Sequence, residues 1–319
     1  MTDILLVSLG STAGLRAADA ELAASLRRAG AAVAEAAVDL PPERPSFVLH
    51  DLSQARAARR AAERALAEHR PAAILYSTVT AALLWPAPGA IRFDAPAAGN
   101  RAGRHGLWQR PRERRRLAEA PLLVPWSAGA LAETPSPHAD AVVVPVPVEP
   151  ADGPAQVRDL AAVTYAADAP KKGLDRVLAA WARARRPDEE LVVAGATAGG
   201  EGVTSLGLVS PAEFRALLRR ARAYVTAPRR EDYGLAQLEA LADGAMLVTT
   251  PAPGPYAALP IARELDPRLV TDDLAAALRT ALDEPSPGYG DHAAEALRPY
   301  RRAAVDATVA NELLPRLLG

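Results

Sequence analysis

Three features of the 319-residue sequence predict an α/β protein of two doubly wound domains. Short apolar strands alternate with helical segments through the first half. A proline-rich stretch without periodicity then interrupts the pattern, and the same alternation restarts beyond it. Strands that are apolar on both faces and separated by helices belong to parallel sheets covered on both sides.

The first strand is expected over residues 3–9, followed by the turn Gly10-Ser11-Thr12-Ala13-Gly14 and a helix to about Arg28. Strands follow at 31–38, 72–77, 90–93, 122–124 and 141–146, with helices at 53–69 and 112–119. Residues 145–154 hold four prolines and read as a linker. Beyond it come a strand at 160–166, a helix at 173–184 and strands at 191–194 and 203–209. Ser210-Pro211-Ala212-Glu213 is a capping box with proline at the first helical position, so a helix runs from there to Ala221. A strand at 223–227, a helix at 235–243 and a strand at 246–250 follow, and the chain ends in helices at 272–282 and beyond Asp291. The expected organisation is a domain at 1–148, a second at 149–300, and a tail helix at 301–319 packing back on the first.

Composition narrows the function. Half the residues are hydrophobic and the net charge is −1, so no nucleic-acid partner is indicated. The absence of cysteine excludes disulfides, thiol catalysis and cysteine-ligated metals. The chain enters its first strand without a charged leader, and no apolar run reaches membrane length, so a cytoplasmic protein is expected. Of 37 basic residues, only Lys171 and Lys172 are lysine.

The most informative segment is 228–244. Glu231 lies in a loop after a buried strand, and Glu239 lies eight positions on, inside the following helix. Between them Gly234, Leu235 and Ala236 open that helix, where free amides and the helix dipole favour an anion. One anion cradle flanked by two carboxylates suits a ligand with a phosphate and several hydroxyls, such as a nucleotide sugar.

With the early glycine loop and the two alternating halves, the Glu-x7-Glu spacing resembles the family 4 retaining glycosyltransferases of the GT-B fold, whose two Rossmann-like domains face each other across a cleft. Lys172-Gly173-Leu174-Asp175, Leu191-Val192-Val193-Ala194-Gly195 and the 203–209 segment resemble further stretches of that family, in order. The match is close over the C-terminal two-fifths and only in outline before it.

The resemblance implies roles for particular residues. Lys172 would hold the donor diphosphate as a compact point charge, with Lys171 beside it exposed. Glu239 would take the ribose hydroxyls, and Glu231 the transferred sugar and the charge building at its anomeric carbon. Gly234, Leu235 and Ala236 would contribute backbone. Gly10 and Gly14 would admit donor phosphate or acceptor, unless they are simply a tight turn. Gly207 and Val209 would lie near the base. The family's arginine five positions before the lysine is Ala167 here, so either Arg229 or Arg230 supplies the charge, or the donor is bound less tightly, or the protein is not a normal catalyst.

Asp94 and His105 are the candidates on the acceptor side, and His50, His69, His138 and His292 are read as surface residues. The basic run Arg110, Arg112, Arg114, Arg115 and Arg116 is either a solvated helix face balanced by Glu113 and Glu119, or a seat for an anionic acceptor or lipid headgroups in a peripheral membrane contact.

The reaction implied is metal-independent retaining transfer from a nucleotide-diphosphate sugar, with no cofactor, to a small-molecule, lipid or glycan acceptor. No Asp-x-Asp occurs to chelate a metal, which fits a diphosphate stabilised by a lysine and a helix dipole. Three rivals remain: a catalytically degenerate GT-B binding protein, a GT-B phosphorylase and a sugar-nucleotide epimerase. An oxidoreductase is disfavoured because Gly10 to Gly14 lacks the Gly-x-Gly-x-x-Gly spacing.

Overall fold

β1 (Ile4–Ser8) already shows why its sheet is covered twice. Side chains alternate across a strand, and here Ile4 and Leu6 join one apolar layer while Leu5 and Val7 join another. This computed structural model describes residues 2–101, 103–135, 140–153 and 156–319. His138, Ala102 and Pro154 lie outside the described residues.

After β1 come α1 (Ala13–Arg28), β2 (Val33–Ala37), α2 (Phe47–Glu68), β3 (Ala73–Tyr76), α3 (Val79–Ala82), β4 (Ala90–Phe93), α4 (Gln109–Glu119), β5 (Leu122–Pro125), α5 (Ala128–Ala132) and β6 (Asp140–Ala141). They form a parallel six-stranded sheet in the order β2-β1-β3-β4-β5-β6. Next are β7 (Leu160–Tyr165), α6 (Ala169–Lys172), α7 (Leu174–Ala184), β8 (Leu191–Ala194), β9 (Val203–Gly207), α8 (Pro211–Arg220), β10 (Ala221–Thr226), α9 (Leu235–Ala242), β11 (Met246–Thr249), α10 (Ala258–Leu265), α11 (Leu274–Asp283) and α12 (Tyr289–Ala296). This second sheet is also parallel, in the order β11-β10-β7-β8-β9. α13 (Arg302–Thr308) and α14 (Leu314–Leu318) end the chain. Unit 1 comprises Met1–Pro147 with Arg302–Gly319, and unit 2 comprises Val148–Arg301.

Local chemistry explains where elements depart from expectation. α2 begins at Phe47 rather than at 53, because the Ser46 hydroxyl accepts the Leu49 amide at 3.3 Å and caps the helix earlier. The strand expected over 141–146 pairs only as Asp140–Ala141. Beyond it the Val142 and Val144 amides still reach the Leu123 and Pro125 carbonyls, but Pro145 and Pro147 carry no amide to continue the ladder.

The tail packs on unit 1 as expected, yet it is not one regular helix. Pro315 has no N–H to offer the carbonyl of Asn311, four residues back, and the Leu314 amide bonds instead to Val309, a π turn at Val309–Leu313. The turn keeps Val305, Val309 and Leu313 buried in one layer with Ile4, Leu6, Leu22 and Leu26. Asp306 fixes the tail's register by accepting from Ser25 at 2.5 Å and from Arg28 at 2.8 Å. Among the described residues no helix is long and apolar enough to cross a membrane.

Since Leu313 is fully buried, Leu313→Ala is expected to lower the stability of unit 1 by about 2–4 kcal/mol in urea unfolding. Exposed Leu318 replaced by alanine is expected to change it by less than about 0.5 kcal/mol, and equal effects would contradict the packing.

Candidate functional site

In an open parallel sheet, ligands bind beyond the carboxyl ends of the strands where the strand order reverses. In unit 2 that point lies between β7 and β10. The turn after β7 carries Lys171 and Lys172, and the loop after β10 carries Arg230, Glu231 and Asp232, so neighbouring strands deliver both halves of the site.

Gly173 makes the approach close enough. It has φ +65°, and a Cβ there would overlap the Ala227 carbonyl, so only glycine fits. The Arg229 amide donates to the Lys171 carbonyl at 3.0 Å and knits the two loops together. Across this seam Lys172 Nζ meets Glu231 Oε2 at 2.7 Å, Lys171 Nζ meets Asp232 at 2.8 Å, and Arg230 Nε meets Asp232 at 2.9 Å. Lys171, expected to be exposed, is therefore half-buried and paired. Three cations and two buried carboxylates occupy one point beyond the carboxyl ends of β7 and β10.

Gly234 then starts α9 with φ +88°, and no side-chain hydrogen bond caps the helix. Its α-carbon packs on the Tyr256 ring, where a side chain would collide. Leu235 and Ala236 form the first turn, whose amides have no carbonyl before them within the helix.

Glu239 lies one turn further and has different company. Arg215 of α8 stands 3.9 Å away, and Arg215 is itself held by Asp243 at 2.6 and 2.8 Å. Burial pushes the Glu239 carboxyl up to about 7; Arg215 opposes this and Asp243 adds to it. Glu231 and Glu239 thus share α9 and its approach but are set in separate environments. Arg215 and Asp243 escaped the sequence reading, because nothing in the sequence pairs an arginine of α8 with the residue that closes α9.

Arg229, offered as a substitute for the residue missing at Ala167, turns instead to Asp175 at 2.8 Å. Arg230 stays in the cluster. Ala167 is exposed beside Gly195. Gly207 ends β9 at the sheet edge with open space on its free face, Val209 is half-buried just beyond, and Leu208 between them is 85% exposed.

Unit 1 has its own reversal, between β1 and β3. Gly10 turns the chain there, its carbonyl held by Arg16 at 2.8 Å, and the Leu9 amide donates to the Ser77 hydroxyl at 3.0 Å. Gly14 is already inside α1, where a Cβ would meet Thr12 Oγ1 at an ordinary 4.0 Å, so no close approach demands glycine. Beneath the turn lies a buried pair missed in the sequence, Arg92 and Asp19 at 3.4 Å, with Ser8 donating to Asp19 at 2.6 Å and burial raising that carboxyl. Asp94 accepts the amide of its neighbour Ala95, while exposed His105 meets the Phe47 ring edge-on at 5.4 Å.

The basic run is engaged locally. Arg115 and Arg116 pair with Glu119 at 2.7 and 2.6 Å, and Arg112 stacks on Trp108 at 4.7 Å. Glu113, expected to balance the run, is buried instead. It accepts the Ala97 and Ala98 amides at 2.8 and 3.2 Å, and burial pushes its carboxyl up to about 7. His50 is also more enclosed than expected, half-buried and 3.0 Å from Gln54, with a buried Nδ1.

Residues 160–284 match the family model of glycosyl transferases group 1. No curated protein matches the chain. Among solved structures the chain is similar to WaaG, a glycosyltransferase involved in lipopolysaccharide biosynthesis, with a TM-score of 0.70 at 14% identity over 98% of this chain and 100% of that one. It is also similar to HepE of Anabaena, solved with UDP and glucose, with a TM-score of 0.69 at 14% identity over 98% and 99%. Sucrose-phosphate synthase of Thermosynechococcus elongatus gives 0.68 at 16% identity over 99% of both chains. The chain has the GT-B fold of two Rossmann-like units, and the stretch that matches the glycosyl transferases group 1 model lies within unit 2.

The raised Glu239 carboxyl makes unit 2 pH-sensitive. Its proton is held more tightly in the folded chain, about 7 against 4.5, so the stability it contributes is full below 4.5 and lost as pH rises through 7. Glu239→Gln removes that loss. The variant should gain on the parent by up to about 3 kcal/mol between pH 5 and pH 8 in urea unfolding; a difference independent of pH would contradict it.

Proposed function

We propose that the chain is a retaining glycosyltransferase that takes a sugar from a nucleotide-diphosphate donor to a hydroxyl acceptor. The observation that carries this reading is the Lys172–Glu231 pair, 2.7 Å apart at the strand-order reversal of unit 2, beside the uncapped start of α9. A cation and open helix amides suit a diphosphate. The adjoining carboxylate suits sugar hydroxyls, and Glu239, one helical turn on, suits a ribose diol.

In this reading the bond from the anomeric carbon to the β-phosphate oxygen breaks as the acceptor oxygen bonds to that carbon on the same face. The acceptor's proton passes to a departing phosphate oxygen. Lys172 and the α9 amides stabilise the diphosphate that leaves, and Glu231 stabilises positive charge at the sugar. Arg230 and Lys171 add positive potential in place of the family arginine. No step calls for a metal or a cofactor. Gly207 and Val209 lie on the side assigned to the base. Asp94, His105 and the Gly10 turn are assigned to the acceptor side, and exposed Phe47, with Arg101 stacked on its ring, and exposed Leu107, two residues before α4, suit a lipid-linked acceptor at an anionic surface.

A second reading, a nucleotide-sugar binder without turnover, is favoured by Ala167, since Arg229 is committed to Asp175.

A thermal-shift screen against UDP-, GDP-, ADP- and dTDP-sugars should yield one donor that raises the melting temperature. Lys172→Ala and Glu239→Ala should each weaken that donor by about 1–3 kcal/mol. Glu231→Ala should chiefly lower kcat. Unchanged affinity in both of the first two variants refutes the site, and binding without turnover for any acceptor selects the second reading.

A further inference from the structure

Gln237 of α9 plays no part in the reading so far, yet it is 1% exposed in the first turn of the helix that starts the candidate site. Its side-chain Nε2 donates to Glu231 Oε2 at 2.9 Å. Lys172 Nζ donates to the same oxygen at 2.7 Å. Glu231 Oε1 accepts no hydrogen bond among the described residues.

The amide has one workable orientation. Turned over, it would put its carbonyl against a carboxylate that is itself only 4% exposed, two acceptors facing each other without a proton. In the orientation adopted, Gln237 Oε1 is buried with no hydrogen-bond partner among the described residues. A polar atom left unsatisfied in a core costs free energy, and leucine or alanine, common elsewhere in α9, would avoid that cost. Gln237 packs with the Tyr256 ring against the bare face of Gly234, and Tyr256 is anchored by Thr249 at 2.9 Å, so the amide is braced from behind.

We infer that Gln237 is a positioning residue for Glu231: with Lys172 it ties one carboxylate oxygen, so that the other faces the bound sugar in a fixed direction. The inference rests on the donor-site reading of Glu231. It explains why a buried helix position carries an amide whose own oxygen is left over. It also keeps Glu231 in place when a diphosphate draws Lys172 away, because the Gln237 bond does not depend on the lysine.

Gln237→Leu and Gln237→Glu test it, with kcat and donor KM measured from pH 5.5 to 8.5 and binding of the free nucleoside diphosphate followed by thermal shift. In the Gln237→Glu variant the new carboxyl, when protonated, can donate to Glu231 as the amide does, whereas its ionised form repels Glu231. The groups facing this pair are Lys172 from the turn after β7, Tyr224 of β10, Tyr256 before α10, and Arg230 and Asp232 of the same loop. Gln237→Leu should lose turnover on the order of 10²-fold, with nucleotide binding and donor KM nearly unchanged. Gln237→Glu should keep most turnover at low pH and lose it as pH rises, relative to the parent. Parental kcat in the leucine variant overturns the inference, as does a pH profile of the glutamate variant parallel to the parent's. Should the leucine variant fail to fold, the glutamate profile decides. If the parent chain turns over no nucleotide sugar, the proposed reaction itself is wrong and the inference falls with it, a result separate from an active parent and an equally active variant.

Discussion

The candidate site depends on the contact between Gly173 and the carbonyl of Ala227. β7 and β10 are neighbours in the sheet, so the chains leaving them start side by side. Any side chain at 173 would push them apart. With glycine there the backbones stay together, Arg229 pairs with Lys171, and Lys172 comes within bonding distance of Glu231. Asp168 assists by capping α6 from below at 3.1 Å, which aims both lysines at the β10 loop. A steric constraint on one residue thus sets the electrostatics of five.

Those electrostatics divide the acids of unit 2 by environment. Glu231 and Asp232 are buried but each has a cation within 2.9 Å. Among the described residues Glu239 has only the more distant Arg215, already engaged by Asp243, and its proton is correspondingly harder to remove. Two glutamates eight residues apart look alike in the sequence and differ in the fold. Burial without a close partner favours the neutral carboxyl.

Periodicity and glycine placement made most of the fold legible. Strands such as Ala90–Phe93 and Leu191–Ala194 fall where the apolar runs are, and the capping box at Ser210 forms both of its bonds, at 3.2 and 2.7 Å. The meeting of Lys172 with Glu231 followed the motif order. What stayed hidden depends on contacts distant in sequence. α6 is a single turn, too short to show a period. Glu113 reads as one more charge on a basic helix until the loop above it supplies two amides. Gln237 is an ordinary polar residue in a helix until its partner, six positions earlier in a loop, is seen to fold back on it. The π turn needed Pro315 and the buried Val309 to be considered together.

Under the proposed function, the pre-formed Lys172–Glu231 pair couples the two ends of the donor. Drawing Lys172 toward a diphosphate weakens its hold on a carboxylate that is only 4% exposed. Among the described residues Glu231 then keeps only the neutral Gln237 amide, and removing the cation from a buried ion pair costs about 3–5 kcal/mol, more than a single charge-assisted bond of about 1.5–3 kcal/mol returns. A free phosphate group alone is therefore a poor competitor for the lysine. A donor that also brings sugar hydroxyls to Glu231 satisfies the carboxylate as the lysine shifts, and both bonds become favourable together. The ion pair then discriminates for the intact nucleotide sugar over its fragments, a selectivity that neither residue would have alone. With no arginine at position 167, this exchange carries more of the discrimination than it would beside a second, permanently free cation.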